Sequence, residues 1–196
     1  ATTNNQEDNE LVIFAKKIGL KSFRGSENDV MKRVINAADS VNADIVVEIT
    51  GDCPIIDPQI IEQTIRIFRA NMADYVSNSH IRSYPDGMDT QVFSLETLKK
   101  SAKMTNDILD REHVTLHIRN NPKLFSHLHL IAPPELDWPS LGLTLDEPND
   151  YKLIKRIIEH FEKINPLFSC RDVIELLHQK KEWRAINQFV VRKGDT

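Results

Sequence analysis

Two cysteines in 196 residues, Cys53 and Cys170, are too few and too far apart for a disulfide scaffold or a thiolate metal framework. A reducing, cytoplasmic setting is the simplest expectation from them. Long apolar runs are missing as well: none approaches the ~18–20 residues of a spanning helix, and no secretory signal is visible. Excess positive charge is also absent. A formal charge of −4 argues against a nucleic-acid binder that works by broad phosphate contact. Repeats and low-complexity linkers are not found, so the reading is one domain over residues 1–196, long enough for a well-buried α/β core and too short for two. What is present is ordinary globular material, 40% hydrophobic and 28% charged, which sets disorder and membrane burial aside.

Hydrophobic spacing then orders the chain. Ala1-Thr2-Thr3 reads as the tail of a strand, and Asn4–Asp8 as a polar turn into a helix with Leu11, Phe14, Ala15 and Ile18 on one face, stopped by Gly19. Leu20–Phe23 is a short strand, and Val30, Val34, Ala37, Ala38 and Val41 mark an amphipathic helix. Asp44–Ile49 is a β-branched, mostly apolar run expected to be a strand buried on both faces. A helix after Pro58, strands at Ala73–Ser77 and Asp89–Phe93, and helices from Ser94 and over Asp107–Asn120 follow. Leu124–Ile131 alternates like a strand with a wet face, Leu141–Leu145 is a strand, and helices begin near Pro148 and Ser169 before an irregular tail from Asn187. Strands alternating with helices through short connections predict a parallel sheet flanked by helices.

Asp52 falls just past the carboxyl end of the Asp44–Ile49 run, after Thr50-Gly51, with Pro54 and Pro58 stiffening the exit. In open α/β sheets that edge is where ligands bind. Asp146 repeats the situation, at the end of Leu141–Leu145 and ahead of Pro148. If the two strands lie near one another, the pair is a hard-oxygen site suited to magnesium, which takes one or two protein carboxylates and leaves its other positions to water and phosphate. Each also has a plain alternative. Asp52 caps a turn or the following helix, and Asp146 caps the helix at Pro148, a role Asp150 can share or take. His127 and His129 share a face of their presumed strand, but two histidines without a third ligand read as surface residues rather than a zinc site.

Beyond spacing, a set of motifs in order carries a resemblance. Phe23-Arg24-Gly25-Ser26-Glu27-Asn28-Asp29-Val30, Ile49-Thr50-Gly51-Asp52-Cys53-Pro54, Tyr84-Pro85-Asp86-Gly87-Met88-Asp89, Arg111-Glu112-His113-Val114-Thr115 and Leu143-Thr144-Leu145-Asp146-Glu147-Pro148-Asn149-Asp150, with Ala1-Thr2-Thr3 ahead of them, resemble the cytidylyltransferase family. The branch resembled is the spore-coat-polysaccharide type, related to enzymes that make CMP-sialic acid and CMP-Kdo. The resemblance implies a nucleotide-diphospho-sugar transferase fold (GT-A-like, Rossmann-like). It also implies the reaction of CTP with an acidic sugar to give CMP-sugar and pyrophosphate, in a cytoplasmic homodimer using Mg2+. By it, Asp52 and Asp146 hold the metal, and Thr2, Arg24, Gly25, Ser26, Thr50 and Gly51 lie on the nucleotide side. Tyr84, Asp86, Gly87, Asp89, Gln91 and Arg111 lie on the sugar side, with Glu112 or His113 taking the hydroxyl proton. Gln91 stands where many relatives carry an acidic residue, which bears on substrate choice. Two other readings share the fold: a non-catalytic remnant or sugar-binding module, and a glycosyltransferase using a nucleotide sugar. The latter usually shows an Asp-x-Asp pair at a strand end, whereas Thr50-Gly51-Asp52-Cys53 offers one Asp.

The resemblance also implies a strand and an Arg/Ser/Gly/Lys-rich phosphate loop that nothing in this chain matches ahead of Ala1. Backbone N–H groups and basic side chains are most of how a triphosphate is held. The expectation is that this chain by itself binds CTP poorly and carries an open sheet edge. Calorimetric titration of CTP in the presence of magnesium is expected to give weak binding, with a Kd of about 1 mM or higher, and a micromolar Kd overturns the expectation.

Overall fold

The computed structural model describes residues 1–191, a mixed α/β protein with a central sheet and flanking helices. The tail expected to be irregular is so from Asn187 to Val191, and its last five positions lie outside the described residues. Among the described residues no helix is long and apolar enough to cross a membrane. Residue contacts gather into two units, the first formed by Ala1–Val46, Ala73–Tyr75 and Phe93–His127, the second by Val47–Met72, Val76–Val92 and the chain from Leu128 onward.

In the first unit, β1 (Thr2–Thr3) and β2 (Arg24–Gly25) pair in parallel as a two-stranded sheet of their own. The strand expected at Leu20–Phe23 forms later than its apolar signal, because pairing starts where the Thr2 N–H donates to the Phe23 carbonyl at 2.8 Å. Between them a 3-10 turn, Gln6–Asp8, leads into α1 (Asn9–Lys17), closed by Gly19 at φ +77°. The apolar stripe of α1 is in place but not covered: Leu11 and Phe14 are 59% and 57% exposed. The next helix, α2 (Val30–Asp39), is capped by Asp29, whose side chain accepts the Lys32 N–H at 2.9 Å. It buries Met31 in a cluster with Tyr75, Phe93, Leu98, Val114, Ile118 and Phe125.

Four strands make the main sheet: β3 (Ile45–Glu48), β4 (Tyr75–Ser77), β5 (Gln91–Ser94) and β6 (His127–His129), in the order β3-β5-β4-β6. The expectation that β3 is buried on both faces is corrected. It is an end strand of the sheet, all four of its residues are half-buried, and Ile49 just beyond is exposed. The alternation expected over Leu124–Ile131 shrinks to β6. Phe125 and Leu130 are the buried residues there, and His127 and His129 are packed rather than solvated.

Ser94 caps α4 (Leu95–Met104) by accepting the Thr97 N–H at 2.9 Å. The single helix expected over Asp107–Asn120 is broken into α5 (Ile108–Glu112) and α6 (Leu116–Asn120), with Val114 between them at φ +45°. A valine there costs roughly 1–3 kcal/mol. The turn puts Val114, 2% exposed, into the same cluster as Ile118, and burying such a side chain returns a comparable amount.

The second unit carries α3 (Pro58–Ala70), α7 (Pro148–Phe161), α8 (Cys170–Gln179) and the short α9 (Lys181–Arg184). Its core joins Leu153, Ile154, Ile157 and Phe161 of α7, at i, i+1, i+4 and i+8, to Val173, Ile174 and Leu177 of α8 and to Ile60 of α3. Asp57, 4% exposed, accepts the Gln59 N–H at the start of α3 and, with its other oxygen, the Cys170 N–H at the start of α8, each at 2.8 Å. One buried carboxylate therefore serves two helix N-termini, whose dipoles both favour its negative charge. Asp57→Ala is expected to lower stability in urea unfolding by about 2–4 kcal/mol. A loss below about 0.5 kcal/mol would show that water replaces both bonds.

Candidate active site

The expected strand Leu141–Leu145 is not a ladder strand but an extended segment with one isolated parallel bridge, Asp86 to Gly142. Its amide groups nevertheless organise the second unit. Leu143 N–H donates to the Asp86 carbonyl at 2.7 Å, and Leu145 N–H donates to the Asp52 carbonyl at 2.8 Å. The segment bends at Thr144 between these two bonds, which tie it first to Asp86 and then to Asp52, with Asp146 following directly on Leu145.

The plain alternatives for the two carboxylates can now be judged. Helix α7 is served at its start by Asp150, fully buried, whose Oδ2 accepts the N–H groups of Asp146 at 3.3 Å and Glu147 at 2.9 Å. Asp146 is thus held by its backbone while its exposed carboxylate makes no hydrogen bond or ion pair among the described residues. Asp57, not Asp52, caps α3. Asp52 is half-buried, and its carboxylate has a single long hydrogen bond, from the Cys53 thiol at 3.7 Å. Neither carboxylate has an ion pair among the described residues.

Burial pushes the Cys53 thiol up to about 12, against a hydrogen bond with Thr50, and the charges of Asp52, Asp89 and Asp86 push in the same direction. Three carboxylates thus act on one point. Such a concentration of negative charge attracts a divalent cation. No group of three or more His, Cys, Asp or Glu side chains converges among the described residues. One or two carboxylates are the share of ligands that a protein usually gives magnesium, the rest coming from phosphate oxygens and water.

The sugar-side candidates of this unit are fixed around the same edge. Tyr84 is buried in the core, and burial followed by the charges of Cys170 and Asp57 raises its hydroxyl above the usual range. Asp86 pairs with Arg82 at 3.0 Å. Gly87 turns the chain at φ +104°, a value only glycine adopts freely. Asp89 is half-buried, and Gln91 donates to Glu48 at 3.4 Å. Thr50 meets Cys53 through its hydroxyl, and Gly51 faces open space. Sequence reasoning missed Asn78, 2% exposed, which donates to the Met88 carbonyl and accepts the Thr90 N–H, each at 2.7 Å, and so pins the chain on both sides of Asp89. It also missed Asn187, 5% exposed, which donates to Gly142 O at 3.0 Å and Asp150 Oδ1 at 2.7 Å. The available signal was an amide at the end of an apolar strand in one case and inside an apolar tail in the other.

Thr2, Arg24, Gly25, Ser26, Arg111, Glu112 and His113 all belong to the first unit. The Thr2 hydroxyl, the Thr3 hydroxyl and the Thr3 N–H donate to Asp8 and pull its carboxyl down to about 2. Arg24 donates to Thr3 O, Asn9 and Asn5 O. Gly25 is a close-packed point, where a Cβ would lie 3.0 Å from Arg33 Cγ. Ser26 accepts the Asp29 N–H. Arg111 donates to the Ala102 carbonyl at 2.9 Å and lies 3.7 Å from Asp29, so its guanidinium ties α5 to neighbouring elements. Glu112 and His113 are exposed, and their side chains have no partner among the described residues. His127 bonds the Ile118 carbonyl at 3.0 Å and stands edge-on to Tyr75, while His129 stacks on His80. They are packing residues, neither a surface pair nor a zinc pair.

An α/β protein with a charged loop edge of this kind falls in the class of nucleotide-binding α/β folds. The cytidylyltransferase family profile matches residues 1–185. An uncharacterized protein of Methanocaldococcus jannaschii is 35% identical over 194 residues, 99% of this chain and 78% of that protein. Spore coat polysaccharide biosynthesis protein SpsF of Bacillus subtilis is 30% identical over 183 residues, 93% of this chain and 75% of that protein. The solved structure of a cytidylyltransferase from Leptospira borgpetersenii serovar Hardjo-bovis superposes with a TM-score of 0.88 at 31% identity, covering 97% of this chain and 78% of that one. The chain belongs to the cytidylyltransferase family, and is a nucleotidyltransferase whose family uses CTP.

The Asp52/Asp86 edge gives a stability test. A Cβ on Gly87 would meet the Leu143 carbonyl carbon and oxygen at 2.7 Å, backbone atoms that cannot swing aside. Gly87→Ala is expected to cost about 2 kcal/mol or more in urea unfolding. Gly51→Ala, with nothing within 4 Å of its Cβ, should stay within about 1 kcal/mol of the parent chain. Equal midpoints for the two variants would contradict the geometry.

Proposed function

We propose that this protein transfers CMP from CTP to an acidic sugar of the nonulosonic or Kdo-like type, releasing pyrophosphate, and that the product feeds cell-surface or spore-coat polysaccharide synthesis. The observation that carries the reading is the Leu145 to Asp52 hydrogen bond, which sets two carboxylates with no ion pair among the described residues on adjacent segments. Asp52 and Asp146 would hold magnesium, which would neutralise the triphosphate and the charge that develops at the α-phosphorus. A sugar hydroxyl oxygen forms the new bond to the α-phosphorus. The bond to the β-phosphate oxygen breaks, its electron pair leaves with pyrophosphate, and a general base takes the hydroxyl proton. The name of SpsF supports the polysaccharide role. Two free, buried cysteines fit a cytoplasmic enzyme. Exposed Met104, Ile108 and Leu109 offer an apolar surface that suits a homodimer.

Pyrophosphate release is the test, run with about 10 mM CTP so that weak nucleotide binding does not mask turnover, magnesium, and N-acetylneuraminate or Kdo. Release is expected with an acid sugar and not without one. Asp52→Asn and Asp146→Asn should each reduce it about 100-fold or more. A folded chain that releases no pyrophosphate with either acid overturns the enzymatic reading in favour of a sugar-binding module.

A further inference from the structure

Helix α1 places no residue in the core. Its nine positions, Asn9–Lys17, include none that is buried, although Leu11, Val12, Ile13, Phe14 and Ala15 are all apolar. Leu11, Phe14 and Ile18 fall at i, i+3 and i+7 and so form one stripe, and Leu20 continues it past the Gly19 turn. Exposure along it is 59%, 57%, 51% and 62%. A helix this short is marginal in water by itself and draws its stability from a covered apolar face. Beside it a groove of about 140 Å³, lined by Leu11, Val12, Ala15 and Phe23 among others, is too small for a ligand of its own. The open feature is therefore the convex stripe rather than a pocket.

Charge says what covers it. The chain carries a net −4, yet between Glu10 and Glu27 it has Lys16, Lys17, Lys21 and Arg24 and no acidic residue. Arg24 is committed to Thr3, Asn5 and Asn9. The three lysine side chains are exposed and make no hydrogen bond or ion pair among the described residues. Acidic neighbours stand at the other end: Glu7 and Asp8 precede the helix, and Glu10 is in its first turn. Free cations thus accompany the C-terminal half of the stripe, Phe14, Ile18 and Leu20. A convex helix with no groove deep enough to seat a partner's side chain suits a surface that deforms around it. Long lysine stems let the ammonium groups reach phosphate headgroups while the apolar side chains sink between them.

We propose that α1, with Leu20 and Lys21, seats this protein on anionic lipid surfaces, its stripe entering the headgroup layer and Lys16, Lys17 and Lys21 pairing with lipid phosphates. The attachment is peripheral and reversible, as one short amphipathic helix gives. Vesicle flotation of the full chain tests it, with phosphatidylglycerol and phosphatidylcholine in equal parts against phosphatidylcholine alone. Binding to the mixed vesicles is expected to be at least about tenfold tighter, and to fall steeply between about 0.1 and 1 M salt. Lys16→Gln, Lys17→Gln and Lys21→Gln together should weaken it about 100-fold, at roughly fivefold per lysine. Phe14→Ser should weaken it about tenfold or more. The same loss of charge from the second unit, by Lys163→Gln, Lys180→Gln and Lys181→Gln, should do nothing. Circular dichroism and melting confirm that each variant is folded. Equal binding to both kinds of vesicle, no binding to either, or an α1 lysine variant that binds like the parent overturns the proposal. So does an equal loss in the second-unit variant. Sedimentation without lipid separates the other occupant: a parent chain that self-associates through Phe14 and ignores vesicles would assign the stripe to a second copy.

Discussion

The amide groups of Leu141–Leu145 are the constraint on which the rest of the site depends. An extended segment cannot leave its N–H and C=O groups unsatisfied when they are buried. Here they are spent on Asp86 at one step and Asp52 at the next. That backbone arithmetic, rather than any side-chain contact, brings into register residues 34 and 94 positions distant from one another in sequence, 86 and 146 against 52. Gly87 is the point at which it could fail, because the Leu143 carbonyl occupies the space that any Cβ would need. Asn187 and Asp150 hold the same segment from its other side through Gly142 and through the amides of Asp146 and Glu147.

Four aspartates of the second unit divide by what their carboxylates hold. Asp57 and Asp150 are almost wholly buried, and each satisfies two or more N–H or amide donors. A carboxylate in that position is stabilised by the donors it collects, and its burial keeps it from solvent and ligand. Asp52 and Asp146 are the reverse: their backbones are anchored while their carboxylates remain uncommitted. The two sets depend on each other, since Asp57 and Asp150 take over the helix-capping work that would otherwise fall to Asp52 and Asp146.

Part of the capping pattern was legible in the sequence, and the exceptions have physical causes. Asp150 was read as able to take the cap at Pro148, and Asp29 and Ser94 were readable from the local pattern, whereas the role of Asp57 at two helix starts was not. Periodicity failed where tertiary demands outran it. Asp107–Asn120 reads as one helix, yet it is broken at Val114, whose burial goes with a left-handed turn. Burial of β3 was overstated because an apolar β-branched run does not reveal whether the strand stands inside a sheet or at its end. Asn78 and Asn187 were invisible for a related reason. An amide announces nothing locally, and its value lies in partners 10, 12, 37 and 45 positions away.

The acidic edge also explains the state of Cys53. A thiol beside a nucleotide site invites a nucleophilic reading, but reactivity belongs to the thiolate. Burial and the surrounding Asp52, Asp89 and Asp86 charges push this thiol to about 12, so it stays protonated at any physiological pH. In that form it is a small apolar residue with one weak donor, directed at Asp52. Burial is the first cause of that rise, and the charges of Asp52, Asp89 and Asp86 add to it. A cation bound at Asp52 would in turn offset the very charges that act on the thiol. Cys53 is therefore a packing residue beside Asp52 rather than a nucleophile.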